Sequence, residues 1–316
     1  MKKVSILIPA YNEEESLPLI CNEIKRVIDT LPQYEWEILF VNDGSRDNTS
    51  LVLRSLREKD NRIHYIDLSR NFGKETAMLA GFDHVTGDCM IIMDADLQHP
   101  PSVIPRFLEK WEEGYEDVYG KRITRGSESF LRKKLSLLFY KMLQKTTRIE
   151  ILENVGDFRL LDRKCIDMLT QMREHERYTK GMFCLIGCRK TGVEFEQQDR
   201  VTGTSSWNFW GLLNLAIEGI TSFTVAPLRM ASFAGIVISL FAFFYMAFII
   251  IKALLYGDPV GGFPTLMSVI LFMGGIQLLF LGIIGEYLGR VFNETKNRPV
   301  YFISTIDGEP YKQKRQ

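Results

Sequence analysis

Two long stretches without a charged side chain fix most of what this 316-residue chain can become. Ala231 to Ile251 is 21 residues, and Phe263 to Gly285 is 23 residues, with no Asp, Glu, Lys or Arg. At about 1.5 Å per residue, either would cross a hydrocarbon layer of roughly 30 Å as a helix. The stretch between them, Lys252 to Gly262, is short, rich in Gly and holds one Pro, which suits a hairpin turn. A pair of buried core helices is the alternative, but soluble cores rarely need two adjacent uncharged runs of this length. Two spans return the chain to its starting side. Arg229 precedes the first span, and Arg290, Lys296 and Arg298 follow the second, whereas the turn carries only Lys252. That asymmetry predicts a multi-pass protein of the cytoplasmic (inner) membrane, with both ends in the cytoplasm.

Outside 231–285, which contains only Lys252 and Asp258 as charged residues, the chain has the charge density of a soluble domain. Its 39 Lys and Arg balance 39 Asp and Glu, which argues against nucleic acid as a partner. No secretory signal is expected, because Pro9 and Glu13-Glu14-Glu15 end the apolar run after Lys3 too soon. The five cysteines, Cys21, Cys89, Cys165, Cys184 and Cys188, are expected to be reduced structural thiols. Residues 209–225 are apolar and aromatic but include Glu218. They read as an interfacial helix, with Trp207 and Trp210 near the headgroups, or as an ordinary packed helix. The expected organisation is a soluble domain over 1–208, a juxtamembrane segment over 209–230, spans at 231–251 and 263–285, and a cytoplasmic tail over 286–316.

The soluble part alternates short apolar runs with amphipathic ones. Strands are predicted at Val4–Ile8, Glu37–Val41, Ile63–Leu68 and Cys89–Met93, with a short fifth through Asp117–Gly120. Helices are predicted over about 14–30, 47–59 and 74–85. The fold class is therefore α/β, a mostly parallel sheet with helices on both faces, followed by a C-terminal two-helix hairpin. Ligands of such sheets bind at the carboxyl ends of the strands. The residues there are Pro9 to Glu13, Asn42 to Ser45, Ser69 to Lys74, and Asp94-Ala95-Asp96. An edge so rich in acids would repel an anionic ligand unless a cation intervened. Asp94 and Asp96, two apart on a turn leaving a strand, can coordinate Mg²⁺ or Mn²⁺ that also touches a diphosphate. Gln98 and His99 are near enough to assist, although a lone His is more often structural. Asp43 could accept hydrogen bonds from a base or ribose, or it could cap the turn Asp43-Gly44-Ser45. Neither a Walker A sequence nor a Gly-x-Gly-x-x-Gly after the first strand is present.

Four pieces, Ile8-Pro9-Ala10-Tyr11-Asn12-Glu13-Glu14, Val41-Asn42-Asp43-Gly44-Ser45, Arg70-Asn71-Phe72-Gly73-Lys74 and Asp94-Ala95-Asp96-Leu97-Gln98, resemble the inverting family 2 glycosyltransferases of GT-A fold. With the two C-terminal runs, the chain resembles the polyprenyl-phosphate glycosyltransferases, the bactoprenol glucosyltransferases (GtrB type) more than dolichol-phosphate mannose synthase. The resemblance implies a UDP-sugar donor, with UDP-glucose expected. Pro9, Tyr11, Glu13 and Asp43 would hold the nucleoside; Asp94, Asp96 and Gln98 would hold metal and diphosphate. It implies an acid at the reacting centre, matched by Asp157 in Gly156-Asp157-Phe158-Arg159-Leu160, unless Asp157 forms a structural salt bridge with Arg159 or Arg163. It implies a polyprenyl phosphate acceptor, for which Arg122, Arg132 and Ser136 are candidates within a basic stretch that would also attract anionic lipid headgroups. Arg200-Val201-Thr202-Gly203-Thr204-Ser205-Ser206-Trp207 resembles a further family loop. Ser206 stands where relatives commonly have Lys, which shifts phosphate contact toward Arg200.

The reaction these features imply is direct displacement with inversion, giving a polyprenyl-phosphate sugar and UDP. Uncharged spans suit an anchor rather than a channel, so membrane lipids are partners and a separate flippase is expected to move the product. A homo-oligomer is compatible with the sequence. Two rival functions are a processive polysaccharide synthase and a non-catalytic membrane scaffold. Against the first, Gln197-Gln198-Asp199-Arg200 is followed by Val201 where the Gln-x-x-Arg-Trp element of such synthases has Trp.

Overall fold

The computed structural model of the chain describes residues 1–123, 155–175, 177–196, 226–256 and 262–311. Two compact units divide the chain: Met1–Leu212 with Arg298–Gln316, and Leu213–Asn297.

The centre of the first unit follows from the alternation of its sequence. Strands β1 (Lys2–Ala10), β2 (Tyr34–Asn42), β3 (Ile63–Leu68) and β4 (Cys89–Ile92) lie parallel in the order β4-β1-β2-β3. Helices α1 (Ser16–Ile28), α2 (Thr49–Lys59) and α3 (Lys74–His84) make the crossovers. Both faces of the sheet are covered, so the strands read as unbroken apolar runs. In β1, Val4, Ile6 and Ile8 pack into one core with Leu17, Ile20 and Ile24 of α1. Leu7 points to the other core, with Ala77 and Met78 of α3. The buried positions of α1 recur at helical spacing, which is why this segment docks by one stripe.

The flanks of the sheet are antiparallel additions. Helix α4 (Ile104–Glu112) leads to β5 (Asp117–Arg122), and β6 (Val155–Asp162) inserts antiparallel between β5 and β4. After α5 (Arg163–Gln171) and α6 (Thr179–Leu185), β7 (Lys190–Phe195) pairs parallel with β5. At the opposite edge, β8 (Ile303–Ile306) pairs antiparallel with β3 and with β9 (Glu309–Pro310). Among the described residues the sheet is thus a mixed nine-stranded one, in the order β7-β5-β6-β4-β1-β2-β3-β8-β9. The expectation of five free thiols fails for one pair. Cys165 on α5 and Cys188 before β7, 23 residues apart, are joined in a disulfide with a Cα separation of 6.6 Å. Folding brings α5 and that turn together, which spacing alone did not reveal; Cys21, Cys89 and Cys184 are free.

The second unit contains two long helices, α7 (Ala226–Tyr256) and α8 (Phe263–Thr295), so each uncharged run lies within a longer helix. Their large apolar side chains face outward: Phe241 is 72% and Leu278 71% exposed. Among the described residues, one segment, Phe272–Thr295, is long and apolar enough to cross a membrane, and Ala231–Tyr245 is apolar but shorter.

Candidate active site

The strand ends at β1, β2 and β3 are knit to one another. Asn12, at φ 56°, accepts at Oδ1 from Arg46 N (2.9 Å) and donates its own N–H to Ser45 Oγ (2.9 Å). Glu13 N–H donates to Thr49 Oγ1 (2.9 Å), and the Glu13 carboxylate accepts from Ser16 Oγ. Burial raises the Glu13 carboxyl above its ordinary value, with Asp96 and Asp94 adding to the effect. Asn42 donates from Nδ2 to Asp67 Oδ1 (2.7 Å) and accepts from Ser45 N (3.1 Å). Asp43 is buried, and its two oxygens accept from Phe72 N (2.7 Å) and Gly73 N (2.8 Å). Burial raises its carboxyl, and those two N–H groups oppose the rise. At Gly44 (φ +63°) a Cβ would fall 2.3 Å from the Arg70 carbonyl carbon, so only glycine lets the two loops close. Asp43 therefore holds the loop after β3. Pro9 and Tyr11 bound the same edge, Pro9 in register with Val41 of β2 and Tyr11 exposed at the rim.

The β4 end is different. In the antiparallel β4–β6 ladder Ile92 faces Arg159. Continuing that register by two residues sets Asp94 opposite Asp157. Lys74, the first residue of α3, reaches both: its Nζ lies 2.6 Å from Asp94 Oδ1 and 2.9 Å from Asp157 Oδ2. Burial is the largest effect and works against ionisation of both acids, but Lys74 and His99 together leave the Asp94 carboxyl below its ordinary value. At Asp157, Lys74, Lys180 and Arg159 together hold the carboxyl far below the usual range. The same acids raise Lys74 well above its ordinary value against the opposing effect of burial. Asp157 is consequently a carboxylate at neutral pH. Its Oδ1 is buried and accepts no hydrogen bond among the described residues.

Neither arginine weighed as a structural partner of Asp157 pairs with it. Arg159 binds Asp117 Oδ2 (3.1 Å) and lies 3.7 Å from the centre of the Phe183 ring. Arg163 donates from Nε to the Gly87 carbonyl (2.9 Å) and pairs with Asp167. The partner is Lys74, whose importance no periodicity marks; the one available signal was its place at the end of the Arg70–Lys74 run. His99 serves the turn: its Nδ1 accepts from Asp94 N (3.0 Å) and its ring stacks on Phe158 at 4.7 Å. Asp96 Oδ1 accepts from Gln98 N (3.1 Å), and Leu97 between them sits at φ 63°. Arg122, at the end of β5, comes beside the residue preceding Asp157, because a Cβ on Gly156 would lie 3.4 Å from its Nη2. Arg132, Ser136 and Arg200, and the 209–225 segment, lie outside the described residues.

Residues 5–169 match glycosyl transferase family 2. This chain belongs to that family. Residues 226–291 match the GtrB C-terminal hairpin. Over 303 residues it is 42% identical to a bactoprenol glucosyl transferase of Shigella phage SfX, covering 96% of this chain and 99% of that one. A glycosyltransferase of Synechocystis is 43% identical over 309 residues, 98% of this chain and 97% of the relative. The prophage bactoprenol glucosyl transferase homolog of Escherichia coli K12 is 41% identical over 304 residues, 96% and 99% of the two chains. Among solved structures, mannosyl-3-phosphoglycerate synthase from Rubrobacter xylanophilus aligns at 20% identity with a TM-score of 0.49, over 69% of this chain and 71% of that one.

A divalent ion bound at the site of this glycosyltransferase would have to share Asp94 with Lys74, whose Nζ lies 2.6 Å from Oδ1. The hard carboxylate oxygens of Asp94 and Asp96 are the donors that would hold it. Two acids leave coordination positions for the oxygens of a diphosphate.

Proposed function

We propose that this glycosyltransferase moves glucose from UDP-glucose to undecaprenyl phosphate, with inversion, at the cytoplasmic face of a membrane spanned by its hairpin. The observation that carries the proposal is the Asp94–Lys74–Asp157 cluster at the carboxyl edge of the sheet. The GtrB-type hairpin and the bactoprenol glucosyl transferases similar along nearly the whole chain supply the acceptor class. Mg²⁺ or Mn²⁺ held by Asp94 and Asp96 would offset the charge that grows on the departing diphosphate.

In the proposed displacement an oxygen of the lipid phosphate forms a bond to the anomeric carbon. The bond from that carbon to the diphosphate breaks, and UDP leaves with the electron pair. An α-linked donor then gives a β-linked product. A phosphate monoester has a second pKa of about 6, so the acceptor is largely ionised at neutral pH. Asp157 therefore has little proton to remove. Its uncapped Oδ1, held as a carboxylate, can orient the acceptor or face the positive charge that develops on the sugar. Arg122 beside Gly156 suits the acceptor phosphate, and the family resemblance adds Arg132, Ser136 and Arg200. Pro9, Tyr11 and Glu13 border the donor nucleoside; product translocation is left to a separate flippase.

The test is transfer by the purified chain in liposomes with undecaprenyl phosphate, labelled UDP-glucose and either ion. One sugar per lipid, lost on chelation and reduced about a hundredfold by joint Asp94→Asn and Asp96→Asn changes, is expected. A polymer would favour a processive synthase. No UDP release with any lipid phosphate would favour a scaffold, and undiminished transfer without divalent ions would remove the metal.

A further inference from the structure

The loop Ser69–Lys74 carries Lys74 to the two acids, and it is gripped from two sides. From β2, Asp43 binds the N–H groups of Phe72 and Gly73, and Gly44 closes against Arg70. From the other side comes the chain that follows the hairpin. Strand β8 pairs with the last residues of β3, Ile66 with Ile306, Asp67 with Thr305 and Leu68 with Ile303. The ladder runs directly into the loop: Ser69 N–H donates to the Phe302 carbonyl (2.9 Å), and the Phe302 ring lies 6.4 Å from that of Phe72. Phe72 in turn sits under the Arg70 guanidinium at 4.2 Å.

This strap is firmly seated. Asp307 accepts from Tyr65 N (2.9 Å), sits 2.7 Å from His64 Nδ1 and pairs with Arg57. Thr305 Oγ1 donates to Asp67 Oδ2 (2.7 Å). Tyr301 OH donates to Asp83, which Arg173 also binds (2.6 Å). A plain tail would need none of these contacts. Without them β3 would be an edge strand, and the Ser69 N–H at the root of the loop would lose its acceptor.

We propose that the C-terminal strap, acting through Phe302, is a positioning element of the transfer reaction. It fixes the Phe72-Gly73-Lys74 segment so that Lys74 Nζ stands between Asp94 and Asp157. The inference rests on the assignment of those acids to the reacting centre. The strap begins at Arg298, three residues after α8 ends at Thr295, so the same piece of chain that leaves the hairpin holds the reactive loop.

The test compares Phe302→Ala with Tyr311→Ala in the full chain. Tyr311 belongs to the same strap but packs at 6.3 Å on His84, away from the loop. Phe302→Ala is expected to speed amide exchange of residues 69–74 by about tenfold and lower kcat by about threefold, because a small misplacement of a positioning group is costly. The KM for UDP-glucose should stay within about twofold, since uniform binding is not what the strap supplies. Tyr311→Ala should change neither quantity, and exchange in β1 and β4 should be unaltered by both. If Phe302→Ala does not fold, Phe302→Leu is expected to give the same pattern with smaller amplitude. Unchanged exchange at 69–74, faster exchange with kcat intact, or equal effects from the two positions would each overturn the proposal. Exchange needs no turnover, so loss of the strap's hold and failure of the assigned reaction are distinguishable.

Discussion

Two stretches of one sheet edge are built from the same residue types and end in opposite states. At the β1–β2–β3 end the polar groups answer one another: Asn12 with Ser45 and Arg46, Asn42 with Asp67, Asp43 with the loop amides. At the β4–β6 end, Asp157 Oδ1 and His99 Nε2 are buried without a hydrogen-bond partner among the described residues. Leaving such atoms uncapped costs on the order of 1–3 kcal/mol each, so a fold tolerates them where a ligand will supply the missing partner. The contrast separates Asp43, which the sequence pattern places at a strand end, from Asp157, which the family resemblance alone places at the reacting centre. The first accepts from two loop amides, one at each oxygen, and the second is kept ionised and partly unengaged.

The sharpest way to break that contrast is Asp157→Asn, which is expected to cut turnover about a thousandfold. Calorimetry should show that UDP still binds. Near-normal turnover would remove Asp157 from the mechanism and leave the two ends alike.

Replacing Lys74 by Met should have a smaller effect, about tenfold on kcat, by leaving Asp94 and Asp157 facing each other as like charges. It also sharpens the comparison through pH. In the native chain Asp157 is held so far below the usual carboxylate range that acid should not neutralise it within an ordinary assay. Without Lys74, burial and Asp94 both favour the protonated form, so the acidic limb of the kcat profile should move to higher pH. An unmoved limb would mean that Lys74 does not set the ionisation of Asp157.

The smallest catalytic effect should come from Asp43→Asn. One carboxylate oxygen becomes an NH₂ group set against a loop N–H, and stability should fall by about 2 kcal/mol, read as a lower Tm. Activity per folded molecule should drop far less than in Asp157→Asn. A turnover loss equal to that of Asp157→Asn would assign Asp43 to the reacting centre rather than to the scaffold.

Much of the first half of the fold was legible in sequence because its signals are local. The runs at Val4–Ile8 and Ile63–Leu68 and the helical stripe of α1 are written within a few consecutive residues. The polar groups at the strand ends could be located for the same reason, and so could the uncharged runs, which now lie inside α7 and α8. The rest depends on partners far apart in the chain. Nothing near Asp157 says that β6 will run antiparallel beside β4, and nothing near Cys165 names Cys188. The strap looked like a tail because Ile303–Ile306 is too short to announce itself as a strand before β3 offers it an open edge.

Sequence by itself determined that a parallel α/β centre would present acids at one edge and that two long uncharged runs would follow. Both are consequences of solvent preference and of periodicity, which need no knowledge of distant neighbours. Only tertiary structure decided which acid would stay available, because that depends on register across β4–β6 and on where Lys74 comes to rest. A carboxylate buried beside an ammonium and one buried beside two amides are the same residue in sequence, and folding alone gives them different chemistry.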